Sequence, residues 1–152
     1  MTRAELWAFL EARAVELRDS CAAQWRQAQQ NTQRLGHHLE RLQGLYLDYG
    51  HRHRALQNDA HQVHQTASLR QTLQQLLALQ QRVAVELAAA HAHEEQCRQR
   101  LQRAETEVLK ARTVLDSNRR AMLKAENRAE QRRLDVAAVQ RHWTARLAED
   151  GG

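Results

Sequence analysis

From Leu69 to Trp143 the chain reads LRQTLQQLLALQQRVAVELAAAHAHEEQCRQRLQRAETEVLKARTVLDSNRRAMLKAENRAEQRRLDVAAVQRHW. Within this stretch residues recur at alternating spacings of four and three: Leu69, Leu73, Leu76, Gln80, Val83, Leu87, Ala90, Glu94, Cys97, Leu101, Ala104, Val108, Ala111, Leu115, Asn118, Met122, Ala125, Ala129, Arg132, Val136, Val139 and Trp143. Eighteen of these twenty-two positions are apolar, and the phase never slips. A stripe of period 3.5 stays turned toward a partner helix when the pair supercoils left-handed. The stretch therefore reads as one long helix with a single seam.

A shorter tract precedes it. The stripe Trp7, Leu10, Ala14, Leu17, Cys21, Gln24, Ala28, Asn31, Leu35, His38, Leu42, Leu45 and Tyr49 holds ten apolar residues in thirteen, with the polar ones grouped in its middle. Between the tracts the pattern breaks. Asn58-Asp59 is a turn signal, and Thr66 or Ser68 can cap a following helix by accepting a bond from a free amide. Two long amphipathic helices joined by a short break predict an all-α chain, an antiparallel coiled-coil hairpin. The expected layout is one coiled-coil domain over 1–152, with helix 1 at about 3–56, a bend at about 57–67 and helix 2 at about 68–147.

Composition points the same way. The chain of 152 residues has no proline and five glycines, and aromatic residues make up only 4%. Long helices need an unbroken supply of backbone donors, which proline would interrupt, while a sheet would need β-branched and aromatic residues. No apolar run approaches the roughly 18 residues that span a bilayer. Met1 to Glu5 leads into no apolar stretch with a small-residue cleavage site, so a secretory signal is not expected. Cys21 and Cys97 accordingly read as reduced core residues of a cytoplasmic protein.

The polar seam residues suggest a register. If facing positions sum to about 118, Gln24 meets Glu94, His38 meets Gln80 and Cys21 meets Cys97, so that buried polar groups find polar partners. The bend then centres near Asp59, and Met1 lies opposite Ser117. From Asn118 onward helix 2 has nothing to pair with, yet its seam continues to Trp143. An apolar stripe without a partner in the chain marks a binding surface. Helix 2 would be about 120 Å long at 1.5 Å per residue. Such an element reaches between partners and encloses no pocket.

Sites of chemistry are not expected. The sequence has no phosphate-binding glycine loop and no nucleophile elbow, so no enzyme and no cofactor are expected. His51, His53, His61 and His64 cluster near the bend, and His91, His93 and Cys97 lie close on helix 2. His51 and His53 point apart on a helix, and these side chains read as solvated, with no metal site. Between Arg98 and Arg133 eleven Lys/Arg stand against five Asp/Glu, a surplus larger than the whole chain's +5. Arg119, Arg120, Lys124, Arg128, Arg132 and Arg133 could meet phosphates. Glu126, Glu130 and Asp135 would stand beside those phosphates, and nucleic acid is not expected as a partner. The other open class is a structural homo-oligomer whose second helices bury each other's terminal seam.

The stretch Ala125-Glu126-Asn127-Arg128-Ala129-Glu130-Gln131-Arg132-Arg133-Leu134-Asp135 resembles the C-terminal signature of the flagellar export protein FliJ family. Glu130 stands where the family has Asp. The layout of a first helix, a bend and a longer second helix is also similar, as it is in stalk proteins of virulence type III secretion. Tyr49 matches the first of a family tyrosine pair, while His53 occupies the place of the second. What the resemblance implies is a non-catalytic stalk and adaptor of a bacterial type III export apparatus. It would bind the hexameric export ATPase, the cytoplasmic domain of the export gate and export chaperones, and would reach the inner membrane only through those partners. On this view Leu42, Tyr46, Tyr49, His53, Leu69, Leu73, Leu76 and Gln80 meet the gate. Met122, Ala125, Asn127, Ala129, Arg132, Arg133, Val136, Val139 and Trp143 meet the ATPase.

Overall fold

A computed structural model describes residues 2–57 and 63–151. Two helices account for nearly all of them: α1, Arg3–Gln57, and α2, Val63–Asp150. No strand occurs among the described residues, as the scarcity of sheet-forming residues requires. Thr2 caps α1. Its hydroxyl accepts from the Glu5 amide at 3.2 Å while the Glu5 carboxylate accepts from the Thr2 amide at 3.1 Å. This reciprocal box satisfies two of the amides that every helix start leaves without an internal partner.

The second helix begins at Val63, ahead of the expected start near 68. Nothing in 63–68 stops a helix: the segment has neither proline nor glycine, and Ser68 is an interior residue whose carbonyl accepts the Thr72 hydroxyl at 3.1 Å. The turn signal at Asn58-Asp59 and His61 lie outside the described residues.

Contacts gather in two compact units, Leu17–Glu105 and Met1–Glu16 with Thr106–Gly152. The core of the first is narrow and built from small or medium side chains: Cys21, Ala28, Thr32, Leu35 and Leu42 from α1, with Val83, Ala90, Cys97 and Ala104 from α2. Thr32 needs nothing from α2, because its hydroxyl returns to the Ala28 carbonyl at 3.0 Å. In the second unit Val108 and Leu115 are buried, and Trp7, Glu11 and Ala14 of α1 are half-buried.

On α2 every seam residue from Leu69 to Asn118 is buried or half-buried, as the periodicity predicts. On α1 the observed seam differs from the expected one. Leu10, Leu17, Gln24, Asn31 and Leu45 are exposed, and Glu11, Arg18, Trp25, Thr32 and Tyr46 take their places. The two stripes share Trp7, Ala14, Cys21, Ala28, Leu35, Leu42 and Tyr49, and they differ only in whether the next step is three residues or four. Helix α1 has therefore turned so that the larger Trp25 and Tyr46 face inward. Leu39 does so beside His38, with both half-buried.

The register also differs from the expected one. In the larger unit the Gln80 amide donates to the Leu42 carbonyl at 3.3 Å. In the terminal unit Arg112 donates to the Glu11 carboxylate at 3.2 Å. Facing numbers thus sum to about 122, which places Cys97 level with Trp25 and Cys21 level with Leu101. Polar seam residues do not seek one another. Gln80 bonds to backbone, Gln24 points to solvent, and Glu94 lies across a groove from Gln29 and Trp25. Both cysteines are free and buried. At 1.5 Å per residue they are offset by about 6 Å along the axis, and across the width of a helix pair that is too far for a disulfide.

Candidate functional site

Two sets of residues are singled out by the sequence, and the fold treats them differently. The set near the bend lies along the seam. Leu42 is buried, and Tyr46, Tyr49, His53, Leu69, Leu73, Leu76 and Gln80 are half-buried. The register sets Tyr46 level with Leu76, Tyr49 with Leu73, and His53 with Leu69, as Leu42 is with Gln80. These eight residues are thus inward-facing positions of the hairpin itself. Only their outer edges are open: Arg52 lies over the Tyr49 ring, 5.2 Å from its centroid. Buried Nε2 of His53 has no hydrogen-bond partner among the described residues. Larger exposed apolar surface in this stretch comes from residues outside the set, Leu45, Leu47 and Leu77.

The C-terminal set is on display. From 121 to 150 every side chain is exposed except those of Ala129 and Ala137, which are half-buried. Met122 is 49% exposed, Val136 57%, Val139 55% and Trp143 57%, although they continue a stripe that is covered as far as Asn118. The change comes where α1 runs out: the register sets Ala4 level with Asn118. Ala125, Asn127, Arg132 and Arg133 are open as well. Leu123, Leu134 and Leu147 add exposed apolar surface that the stripe does not include. They fall off the 3.5-residue pattern, so periodicity alone passes them over.

The charge of this segment is as unbalanced as its hydrophobic exposure. Residues 118–147 hold eight Lys/Arg against three Asp/Glu. Within the segment Arg133 pairs with Glu130 at 3.8 Å, and Gln131 donates to Asp135 at 3.3 Å. Arg119, Arg120, Lys124, Arg128 and Arg132 make no ion pair among the described residues. An exposed apolar stripe bordered by free cations suits a partner with an apolar, acidic surface.

The histidines form no constellation. No group of three or more His, Cys, Asp or Glu that could hold a metal occurs among the described residues. His93 Nε2 lies 3.6 Å from Cys97 Sγ, one turn along the same helix. Near it Arg98 donates twice to Glu95, at 2.9 and 2.7 Å, and these bonds hold the Glu95 carboxyl below its ordinary value. No described helix is long and apolar enough to cross a membrane.

The model of the family described as flagellar FliJ protein matches residues 8–147, nearly the whole chain. No curated protein and no solved structure matches it.

Proposed function

The chain belongs to the FliJ family of flagellar proteins, whose role lies with flagellar export, and on that premise we propose that it acts as a non-catalytic stalk and adaptor of the export apparatus. Its overhanging segment binds the hexameric export ATPase. Its bend-proximal end meets the cytoplasmic domain of the export gate, and export chaperones are further partners. The protein works in the bacterial cytoplasm and reaches the inner membrane by way of those partners.

The observation that carries this reading is the seam that outlasts its partner helix. Met122, Val136, Val139 and Trp143 keep a heptad phase yet are 49–57% exposed, with no described residue of α1 level with them. Exposed apolar surface is costly in water, and each large side chain buried by a partner returns about 1.5–3 kcal/mol. A self-associating coiled coil is the second use for such a stripe. Arg132 lies in the middle of it, so an antiparallel pairing of two overhangs brings two like charges together at the symmetry axis. That favours a different protein as partner.

The test is ATP hydrolysis by the cognate export ATPase with the full chain, with a chain ending at Ser117, and with Val136→Asp/Val139→Asp. Stimulation by the full chain alone supports the overhang as the working surface. Equal stimulation by all three moves that surface elsewhere, and no complex with the ATPase sinks the stalk reading. For the gate, Tyr49→Ala and Leu73→Ala should weaken capture of its cytoplasmic domain. Those seam variants also loosen the hairpin, so Leu45→Ala and Leu77→Ala are needed beside them. Capture weakened by the exposed pair alone would mean that the gate is recognised by the outer faces and not by the seam edges.

A further inference from the structure

A second apolar surface lies in the terminal unit, apart from both the seam and the overhang. Leu6 is 43% exposed, Phe9 49%, Leu10 41% and Val114 38%. Leu6 and Leu10 each come one residue before a seam position, Trp7 and Glu11, and Val114 comes one before Leu115. One residue is about 100° of helical turn. In an antiparallel pair that backward step leads to the same side from either helix. The register sets Val114 level with Ala8, between Leu6 and Leu10. One side of this unit therefore carries an apolar row from each helix, with a shallow furrow between them. In a helical bundle a third helix fills such a furrow.

Charge narrows the choice of occupant. The same backward step identifies Arg3 and Arg13 on α1, and Glu107, Lys110, Lys124, Arg128 and Asp135 on α2, five cations against two acids. Of the two acids, Glu107 is taken by Lys110 at 3.2 Å, and Asp135, far along the overhang from the patch, accepts from Gln131 at 3.3 Å. Arg13 lies over the Phe9 ring at 5.9 Å and borders the apolar patch. The opposite side of the unit offers Ala8, Ala12 and half-buried Val15 on α1, and on α2 exposed Leu109 beside mixed charges, Arg112 and Asp116. A second copy would bring the same basic face, or an equally basic overhang, against this one.

We propose that the Leu6–Leu10–Val114 face docks an acidic amphipathic helix from another protein. The surface is about a quarter-turn from the overhanging stripe, and its occupation leaves that stripe free. The proposal does not depend on what the overhang binds.

The experiment uses the full chain with a photo-crosslinking residue in place of Phe9 and, separately, of Val139. Two synthetic amphipathic helices of about five turns serve as probes, with the same leucine face and either glutamate or lysine flanks. The glutamate helix should crosslink at position 9, and Leu6→Glu/Leu10→Glu should reduce that yield by about tenfold. The change at exposed positions should leave helicity and melting intact. Val136→Asp/Val139→Asp should leave the yield at position 9 unchanged, which separates this face from the overhang. Equal crosslinking of the lysine helix would overturn the proposal, as would a yield at position 9 indifferent to the leucine variants. Crosslinks at position 9 between two copies of the chain, without any probe, would make a second copy the occupant and overturn it too.

Discussion

Cys97 shows how far a single seam residue is governed by what stands across from it. It is 2% exposed and lies level with Trp25, while Cys21 lies level with Leu101. Small faces large in both layers, as close packing of a narrow core requires. The thiols are therefore out of reach of each other. Mild oxidation should leave both free, whereas Cys97→Ser/Leu101→Cys should form a bridge to Cys21, read as a mobility shift under non-reducing conditions. A bridge between the native cysteines would mean that the register is wrong. Burial should also decide the cost of truncation. Val108 is 2% exposed and Val136 57%, so Val108→Ala should cost about 1.5–3 kcal/mol and Val136→Ala less than about 0.5. Chemical denaturation measures both. The Glu95 carboxyl, lowered first by its hydrogen bonds from Arg98 and then by that residue's charge, gives a small pH effect. A lowered folded value means stabilisation that is present above the unfolded carboxylate range and lost as pH falls through the folded value. Glu95→Gln should remove that part of the acid-side decline in melting temperature. Because the pair is exposed, the difference should shrink in high salt.

At the scale of elements, α1 and α2 are held by different means. Helix α2 carries its own order in an unbroken heptad phase. Helix α1 has a capping box at its start but three glycines, Gly36, Gly44 and Gly50, in its interior. None of the three has positive φ, and a Cβ built on any of them meets nothing within 4 Å. Each leaves the unfolded chain more freedom without a structural need for it here. Alanine at each position should raise stability by about 0.5–1 kcal/mol, measured by thermal or urea melting. A loss of stability on any Gly→Ala change would show that the position needs close approach or a different backbone. In the other direction, Thr2→Ala should cost about 1 kcal/mol and appear as faster amide exchange confined to the first turns of α1.

At the scale of the whole chain, the inequality of the helices is the feature from which the proposed function follows. Helix α1 has 55 residues and α2 has 88, so the second must continue where the first has ended. Ending the chain at Ser117 should therefore leave the melting behaviour of the remaining hairpin nearly unchanged while it removes ATPase stimulation. A large fall in stability would mean that the overhang supports the hairpin and is not reserved for a partner. The candidate sites divide along the same line. The exposure of the overhanging set could be read in advance, because a heptad stripe with no stretch left to pair with is visible in the sequence. The bend-proximal set could not, since its residues are seam positions and their exposure depends on the partner helix.

The all-helical class, the seam of α2 over its full length, and the point near Asn118 beyond which that seam is uncovered were all legible before any coordinates. The first two rest on local propensity and on a period that one helix carries alone. The third rests on the unequal lengths of the two tracts, and it falls near Asn118 although the register shifts by four, because α1 begins at Arg3. The inward face of α1 and the register were settled by packing. Two stripes on α1 share every second member, and no property of the isolated helix separates Leu10 from Glu11 or Gln24 from Trp25 as the inward residue. Packing across the seam makes that choice, where Trp25 lies level with Cys97 and Trp7 level with Leu115. Polar seam residues gave no guide to register, because Gln80 found a backbone carbonyl and Thr32 its own helix, so neither needed a polar partner on the facing helix.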